Sequence, residues 1–330
     1  MPRQARLDYP GALHHVIGRG IDGLYIFNEL KDKREFLHRI KKRLDESSLQ
    51  IYGWCLMGNH FHLLIQTGKT SLAEFMRSIM TGYAIYYNKT HNRKGYLFQN
   101  RYKSILCETD GYLLKLISYV HINPIKARIV SLGKLKQYAW TGHKELMSQQ
   151  QEEGLIDREE VLGFFGLTEK QAIETYMDYL KDELKSDEDM KGSGSLRSLG
   201  SKEESKVQGD EKQMYDKRIL GSRDFVEMVL NRLETEELPI VPFKDTIDLL
   251  TRLACYYQLD KEEILNSRTK EVREARHVFV YLGNIYLSES LTALGELLRI
   301  NQSAASQARQ KGQQVASKKG LVKKLTKIKY

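Results

Sequence analysis

Two histidines that flank a phenylalanine are the first residues in this sequence that could do metal chemistry. His60-Phe61-His62 lies within an alternating apolar run that is typical of a β-strand. Because successive side chains of a strand point to opposite faces, His60 and His62 share one face, about 7 Å apart, while Phe61 points to the other. Two imidazoles in this arrangement can converge on one divalent ion, with Phe61 anchoring the strand in the core. Taken alone, the pair is also what two half-exposed strand histidines without a ligand would give.

A tyrosine and an asparagine on a predicted helix form the second candidate group. The helix is predicted over Gly111–Ile122 and is expected to stop at Pro124. Tyr119 and Asn123 are four residues apart, which places them on one helical face. A tyrosine hydroxyl is a weak nucleophile that becomes useful when a metal polarises its target, and the Asn123 carboxamide oxygen could then be a third, hard ligand. The alternative is that Tyr119 is a packing residue among nineteen tyrosines.

The elements that would hold these residues are predicted in the order β-α-β-β-α-β. The strands are predicted at Leu13–Gly18, Leu49–Met57, His60–Gln66 and Tyr102–Cys107, and the intervening helices at Asp32–Asp45 and Leu72–Asn88. Gly58-Asn59 between the middle strands is a hairpin signal. The order predicts an α+β fold of the ferredoxin-like type, with an antiparallel sheet and helices packed on one face.

A segment rich in Gly, Ser and charge divides the chain. The predicted divisions are a first domain over residues 1–145, an acidic helical annex over 146–190, a flexible linker over 191–213, and a wholly helical domain with a basic tail over 214–330. In that last domain, the predicted helices Leu291–Leu298 and Gln302–Gln310 are separated by three residues. This spacing predicts an all-α helix-turn-helix domain.

Charge follows the same divisions. Residues 1–145 contain 23 Lys and Arg against 11 Asp and Glu, residues 146–240 contain 13 against 23, and residues 241–330 contain 16 against 9. Two basic blocks indicate two surfaces that meet polyanions, or else ordinary solvated faces. Three widely spaced cysteines exclude a disulfide framework, and no apolar run approaches the roughly 20 residues of a membrane helix. No secretory signal is visible, and the sequence predicts a cytoplasmic protein.

Several segments of the first 180 residues resemble, in order, a known family. The two principal ones are Gly58-Asn59-His60-Phe61-His62-Leu63-Leu64 and Tyr119-Val120-His121-Ile122-Asn123-Pro124. Further matches are Arg3–Arg6 with Pro10–Val16 and Arg19-Gly20, then Phe98–Tyr102, then Tyr138–Thr141. Together they resemble the single-tyrosine HUH transposases, and best the REP-associated tyrosine transposases related to the insertion-sequence-200/605 enzymes.

The resemblance implies a ferredoxin-like HUH catalytic domain that acts on single-stranded hairpin DNA. It implies that His60, His62 and Asn123 hold Mg²⁺ or Mn²⁺ and that Tyr119 attacks phosphorus, leaving a 5′-phosphotyrosine and a free 3′-hydroxyl. Phe61 is expected to be structural, and His121, which receives no role, is expected to face the surface or a phosphate. Candidates for DNA-backbone contacts are Arg3, Arg6, Arg19, Arg101 and Lys103.

The C-terminal region resembles, more loosely, the DNA-binding domain of the chromosomal replication initiator DnaA. The resemblance rests on Arg273–Arg276, Ser290–Gly295 and Ser303–Arg309, while Ile300-Asn301-Gln302 replaces the Asp-His pair that initiators have before the recognition helix. It implies contact with duplex DNA, in a protein associated with the nucleoid. Residues expected to contact DNA are Arg273, Arg276, Gln302, Ser303, Ser306 and Arg309, and the last four are expected to face outward from the recognition helix. A helical bundle for protein contacts is the alternative.

Two rival functions remain at this point. One is a non-catalytic DNA-binding regulator that kept the scaffold, and the other is an RNA-binding ferredoxin-like module. The presence of His60, His62 and Tyr119 together argues against both. The sequence leaves open the hairpin recognised, whether the protein is a monomer or a homodimer, and whether Tyr119 works with the histidines of its own chain.

Overall fold

The structure is a computed structural model, and it describes most of the chain. The described residues are 7–109, 112–148, 154–166, 168–186, 218–222, 225–227, 229–230, 243–267, 269–287 and 289–328. Arg3, Arg6 and the predicted linker over 191–213 lie outside the described residues. The chain divides into two compact units, Met1–Ile156 with Met177–Pro239, and Asp157–Tyr176 with Ile240–Tyr330.

The first unit is built on a five-stranded sheet. Its elements are β1 (Leu13–Arg19), α1 (Leu30–Asp45), β2 (Gln50–Leu56), β3 (His60–Gln66), α2 (Leu72–Thr90), β4 (Lys103–Cys107), α3 (Leu113–Lys126), α4 (Gly142–Met147) and β5 (Ile219–Leu220). The strand order is β2-β3-β1-β4-β5, and the first four strands pair antiparallel. The predicted α+β class with an antiparallel sheet is confirmed. Only helices are predicted after residue 213, whereas Ile219–Leu220 pairs in parallel with the end of β4.

Helices α1 and α2 cover the face of the sheet to which Phe61 points. The Phe61 ring packs against Phe36 of α1 at 4.8 Å between centroids, and Phe36 in turn packs against Tyr83 of α2 at 5.0 Å. All three rings are fully buried. A methyl group on Gly18 of β1 would lie 2.3 Å from the Phe61 ring, so glycine is required where this ring crosses the neighbouring strand. Phe61 therefore has the structural role expected of it.

Helices α1 and α2, the two helices of the predicted order, share one face of the sheet as expected, and α3 lies on the opposite face. Its backbone lies close to Gly53 of β2, where a Cβ would be in van der Waals contact with the Ile117 Cα at 3.7 Å. Helix α3 also continues through Pro124 to Lys126, beyond its predicted end. Proline lacks the N–H that would bond the Val120 carbonyl, and the Asn123 side-chain Nδ2 donates to that carbonyl instead, at 3.2 Å. The helix can therefore pass the proline without leaving this carbonyl unbonded.

The second unit is helical in its described residues. Its elements are α5 (Arg158–Phe165), the first part of α6 (Glu169–Lys185), α7 (Thr246–Tyr257), α8 (Lys261–Asn266), α9 (Lys270–Leu287), α10 (Leu291–Leu297), α11 (Gln302–Lys319) and α12 (Leu321–Leu325). Its core forms around α9, whose Val278, Phe279 and Leu282 are buried. Ser290 and Asn301 cap α10 and α11 through side-chain oxygens, which fixes both helix starts and the short connection between them. No helix in the part of the chain that is described could span a membrane.

Candidate active site

Strand β3 places the two signature histidines on one face, as the alternation predicts. The His60 and His62 ring centroids are 5.2 Å apart and nearly perpendicular. His62 is 1% exposed, whereas His60, at the start of the strand, is half-buried. His60 is held by a 2.7 Å hydrogen bond between its Nδ1 and the Asn59 side-chain oxygen. The first histidine is therefore oriented by its neighbour in the hairpin turn.

A third histidine, for which the sequence pattern predicted no role, joins the pair. His15 of β1 is fully buried, and its Nε2 lies 2.9 Å from Nδ1 of His62. The two rings are stacked with centroids 5.2 Å apart. Metal-binding histidines are commonly oriented through the ring nitrogen that does not face the metal, and His15 has this relation to His62. Because adjacent residues of a strand point to opposite faces, one of His14 and His15 must share the face of His62. The strand register pairs Ile17 with His62 and so shows that it is His15, two residues before Ile17.

Helix α3 brings Tyr119 to the same histidines. The Tyr119 ring meets the His15 ring edge-on, with centroids 5.7 Å apart. On the same helix, the Lys126 ammonium lies 4.9 Å from the Tyr119 ring centroid. The Tyr119 side chain is fully buried. The structure thus joins the tyrosine and the histidine strand, which are more than fifty residues apart in sequence, through His15.

Asn123 has a fixed orientation one turn after Tyr119. Its Nδ2 donates to the carbonyls of Tyr119 at 2.9 Å and Val120 at 3.2 Å, and the residue is 4% exposed. Since the amide nitrogen is turned to the helix backbone, Oδ1 is the atom through which Asn123 could act as a ligand. The Asn123 amide nitrogen therefore bonds the helix backbone, while its oxygen is the candidate metal ligand.

Two imidazoles and one amide oxygen are a donor set that suits a divalent ion. His60 and His62 each engage Nδ1 in a side-chain hydrogen bond, which is how ligating histidines are held in many metal sites. Among the described residues there is no group of three or more His, Cys, Asp or Glu side chains that could hold a metal by themselves. A metal here would therefore need the Asn123 oxygen or DNA oxygens to complete its coordination.

His121 lies in the interior, which corrects the expectation that it faces the surface. It is fully buried under the close approach of two glycines: a Cβ on Gly142 would lie 2.7 Å from its Nε2, and one on Gly53 would lie at 3.4 Å. Burial, together with nearby His143, lowers the pKa of His121 well below its usual value. It is therefore neutral at physiological pH and belongs to the packing of α3 on β2.

Three of the basic residues predicted to contact DNA through the first unit are on its surface. Arg19, Arg101 and Lys103 are exposed. Arg101 lines a cleft of about 570 Å³ between α2 and the start of β4, together with Arg77 and Tyr102. These positions leave the three side chains accessible to a phosphate backbone.

The residues predicted to contact DNA through the second unit are divided between surface and interior. Arg273 and Ser303 are exposed, but Arg276 donates to the carbonyls of Ile264 and Leu265, at 3.0 and 2.6 Å, and to that of Leu298. Its guanidinium therefore joins the ends of α8 and α10.

Helix α5 covers the side of α11 that was expected to face outward. The expectation is wrong for Arg309, which is 3% exposed, donates to Asn284 Oδ1 at 2.8 Å and lies 3.7 Å above the Phe164 ring. Gln302 and Ser306 are half-buried: Gln302 donates to Asp157 at 3.1 Å, and Ser306 packs on Gly163, where a Cβ would lie 1.9 Å from its hydroxyl. The sequence could not reveal this contact, because α5 lies more than 130 residues before α11.

Comparisons with known proteins bear on the first unit. The profile of the family described as "Transposase IS200 like" matches residues 15–123, a segment that contains His15, His60, His62, Tyr119 and Asn123. A solved structure of a REP-associated tyrosine transposase bound to a REP hairpin is similar to 46% of this chain and 90% of its own, at 15% identity and a TM-score of 0.38. No curated protein matches the chain. The resemblance seen in the sequence is thus confirmed over residues 15–123, the third of the chain that matches the profile of the IS200-like transposases.

Proposed function

We propose that this protein is a metal-dependent single-strand DNA endonuclease and strand-transferase that acts on hairpin DNA through a 5′-phosphotyrosine. The observation that carries the proposal is that Tyr119 contacts His15, which in turn contacts His62, on one face of the sheet and inside the segment that matches the family profile. Two imidazoles from β3, with a phenol and an amide oxygen from α3, are the groups that metal-assisted tyrosine attack on a phosphodiester needs.

The reaction follows from the chemistry of these groups. The Tyr119 oxygen attacks phosphorus and displaces the 3′-oxygen of the neighbouring nucleotide, which leaves the 5′-phosphate on tyrosine and a free 3′-hydroxyl. Attack by a 3′-hydroxyl on the phosphotyrosine reverses the step and joins strands without an external energy source. The Lys126 ammonium places positive charge beside the ring on which negative charge develops.

The metal would be held by His60, His62 and the Asn123 oxygen, with His15 orienting His62. When bound, Mg²⁺ or Mn²⁺ supplies Lewis-acid polarisation of the scissile phosphate. Because Tyr119 is fully buried and His62 almost so, DNA must expose the ring before attack. Tyr119 lies against His15 of its own chain, which supports an active site assembled within one chain rather than between the subunits of a homodimer.

We assign duplex DNA binding to the second unit, with Arg273 and Ser303 as the predicted contacts that are exposed. The support is the capped helix pair α10 and α11 and the excess of basic residues after residue 240. The protein would then act in the cytoplasm on nucleoid DNA.

A cleavage assay with labelled hairpin oligonucleotides, DNA and RNA in parallel, tests the proposed function. We expect DNA to be cut only with Mg²⁺ or Mn²⁺, with protein covalently attached to the 5′ end of one product. Binding without cleavage would favour a regulator, and preferential binding of the RNA hairpin would favour an RNA-binding module.

A further inference from the structure

An exposed aromatic side chain lies near the start of β3, the strand that carries His60 and His62. Tyr25, in the loop between β1 and α1, is 65% exposed. Large aromatic side chains in a folded chain usually bury most of their surface, and exposed ones beside a functional site commonly contact a ligand. Tyr25 makes no described hydrogen bond through its hydroxyl, so its ring is available to a partner.

The backbone that carries this ring is held firmly. The amides of Ile26 and Phe27 both donate to the Gly58 carbonyl, at 3.0 and 3.1 Å, and the Tyr87 hydroxyl donates to the Tyr25 carbonyl at 3.0 Å. The Asn59 side chain donates to the Gly23 carbonyl at 3.1 Å. The loop is therefore fixed to the β2–β3 turn on both sides of Tyr25, although the side chain itself remains in water.

The ring lies directly over the turn that leads into the first histidine. A Cβ on Gly58 would be 2.4 Å from Tyr25 Cε1, so any other residue at position 58 would displace the ring. The next residue, Asn59, is the one that orients His60. The aromatic face and the candidate metal ligand are thus coupled through two consecutive residues of the turn.

A positive charge accompanies the ring. Arg19 is exposed and lies opposite His60 in the β1–β3 register. Arg19 has no ion-pair partner among the residues that the structure describes. The aromatic ring and the guanidinium thus both lie near the start of β3, and these are the two kinds of group with which proteins hold single-stranded nucleic acid.

We propose that Tyr25 is a stacking platform for an unpaired base of the single DNA strand that enters the active site, with Arg19 contacting the adjacent phosphate. The inference rests on the proposed function and specifies how that site recognises its substrate. A platform of this kind is tolerant of sequence, because every base has a π-face. It positions a strand next to His60 without reading which base is present.

The test is binding of an oligothymidylate to the full-length chain, measured by fluorescence anisotropy without added divalent metal so that no cleavage intervenes. Loss of one base–aromatic stack corresponds to about a 5- to 150-fold increase in Kd, which we expect for Tyr25→Ala. Tyr25→Phe keeps the ring and should bind like the unmodified protein. Ile85→Ala is the matched control, because Ile85 is also 65% exposed but lies on α2, which covers the face of the sheet opposite His60 and His62.

Tyr25→Trp provides a direct optical readout. The indole should retain the affinity, and its fluorescence should be quenched when the oligonucleotide stacks on it, beyond any change from Trp54 and Trp140. Equal affinities for Tyr25→Ala and the unmodified protein, or an unquenched Tyr25→Trp, would overturn this inference while leaving the proposed function intact. If the unmodified protein bound no single-stranded DNA, both would be overturned.

Discussion

The stability of the second unit should depend on the protonation of one buried carboxyl group. Glu160 of α5 is 3% exposed and accepts a hydrogen bond from Asn284 Nδ2 at 2.9 Å. Burial raises its pKa from 4.5 to about 7, with a further contribution from nearby Asp157, while the Asn284 hydrogen bond and Arg309 act in the opposite direction. Since the folded-state pKa is above the unfolded value, the contribution of Glu160 to the stability of the unit is fully present below about pH 4.5 and is lost as the pH rises through about 7.

The change Glu160→Gln imitates the protonated carboxyl at every pH. At 1.36 kcal/mol per pH unit, the interval from 4.5 to about 7 corresponds to about 3 kcal/mol. The glutamine variant should therefore be more stable than the unmodified protein by up to about 3 kcal/mol at pH 8, and by little at pH 5. Its amide oxygen can still accept the Asn284 hydrogen bond, so the packing of α5 on α11 is retained.

Hydrogen exchange of peptides from α9 and α11 measures this effect in the unit concerned, because both tryptophans belong to the first unit. Protection, corrected for the intrinsic rate at each pH, should rise about a hundredfold in the variant at pH 8. Glu159→Gln is the control, since Glu159 is the exposed neighbour on the same helix and should change nothing. Equal protection of the Glu160→Gln variant and the unmodified protein at pH 8 would refute the reasoning.

Three further predictions concern the first unit. His15→Phe should weaken Mn²⁺ binding, measured by calorimetry, 10- to 100-fold, because it removes the hydrogen-bond partner of His62. The change His38→Gln, at an exposed histidine, should leave the affinity unaltered. Unchanged Mn²⁺ affinity in His15→Phe would contradict a positioning role for His15. Gly18→Ala should lower the free energy of unfolding, measured by urea denaturation, by about 1–3 kcal/mol, since its methyl group would lie 2.3 Å from the Phe61 ring. Gly133→Ala is the control and should leave the free energy of unfolding nearly unchanged, because no atom lies within 4 Å of the added methyl group. His62→Ala and addition of EDTA should each abolish cleavage of a hairpin oligonucleotide, and undiminished cleavage in EDTA would disprove the metal assignment.

Local patterns predicted the strands of the first unit well. The alternation around His60–Gln66 gave the bounds of β3 as the structure has them, and the Gly58-Asn59 signal lies at the observed hairpin. These features depend only on neighbours in sequence, since strand periodicity is visible within a few residues. The same alternation put Phe61 on the core face and His60 and His62 on the other.

Features that depend on distant partners were not predicted. Alternation shows which residues share a face of the sheet, but it does not show that α3 lies on the histidine face, and only the lone Gly53 within a strand hinted at a close approach. The proline rule ended α3 too early, because the Asn123 side chain replaces the missing backbone donor. Helical spacing grouped Gln302, Ser306 and Arg309 on one side of α11, but that side is covered by a helix from a remote part of the chain.

Covalent attachment of the protein to DNA tests most directly whether Tyr119 is the nucleophile. The full-length protein and its Tyr119→Phe variant are incubated with a labelled hairpin oligonucleotide and Mg²⁺, and the products are separated on a denaturing gel. Tyr112→Phe, which alters another buried tyrosine at the start of α3, serves as the control. We predict a protein–DNA adduct for the unmodified protein and for Tyr112→Phe, and none for Tyr119→Phe, with hairpin affinity nearly unchanged. An adduct of undiminished yield in Tyr119→Phe would contradict the account.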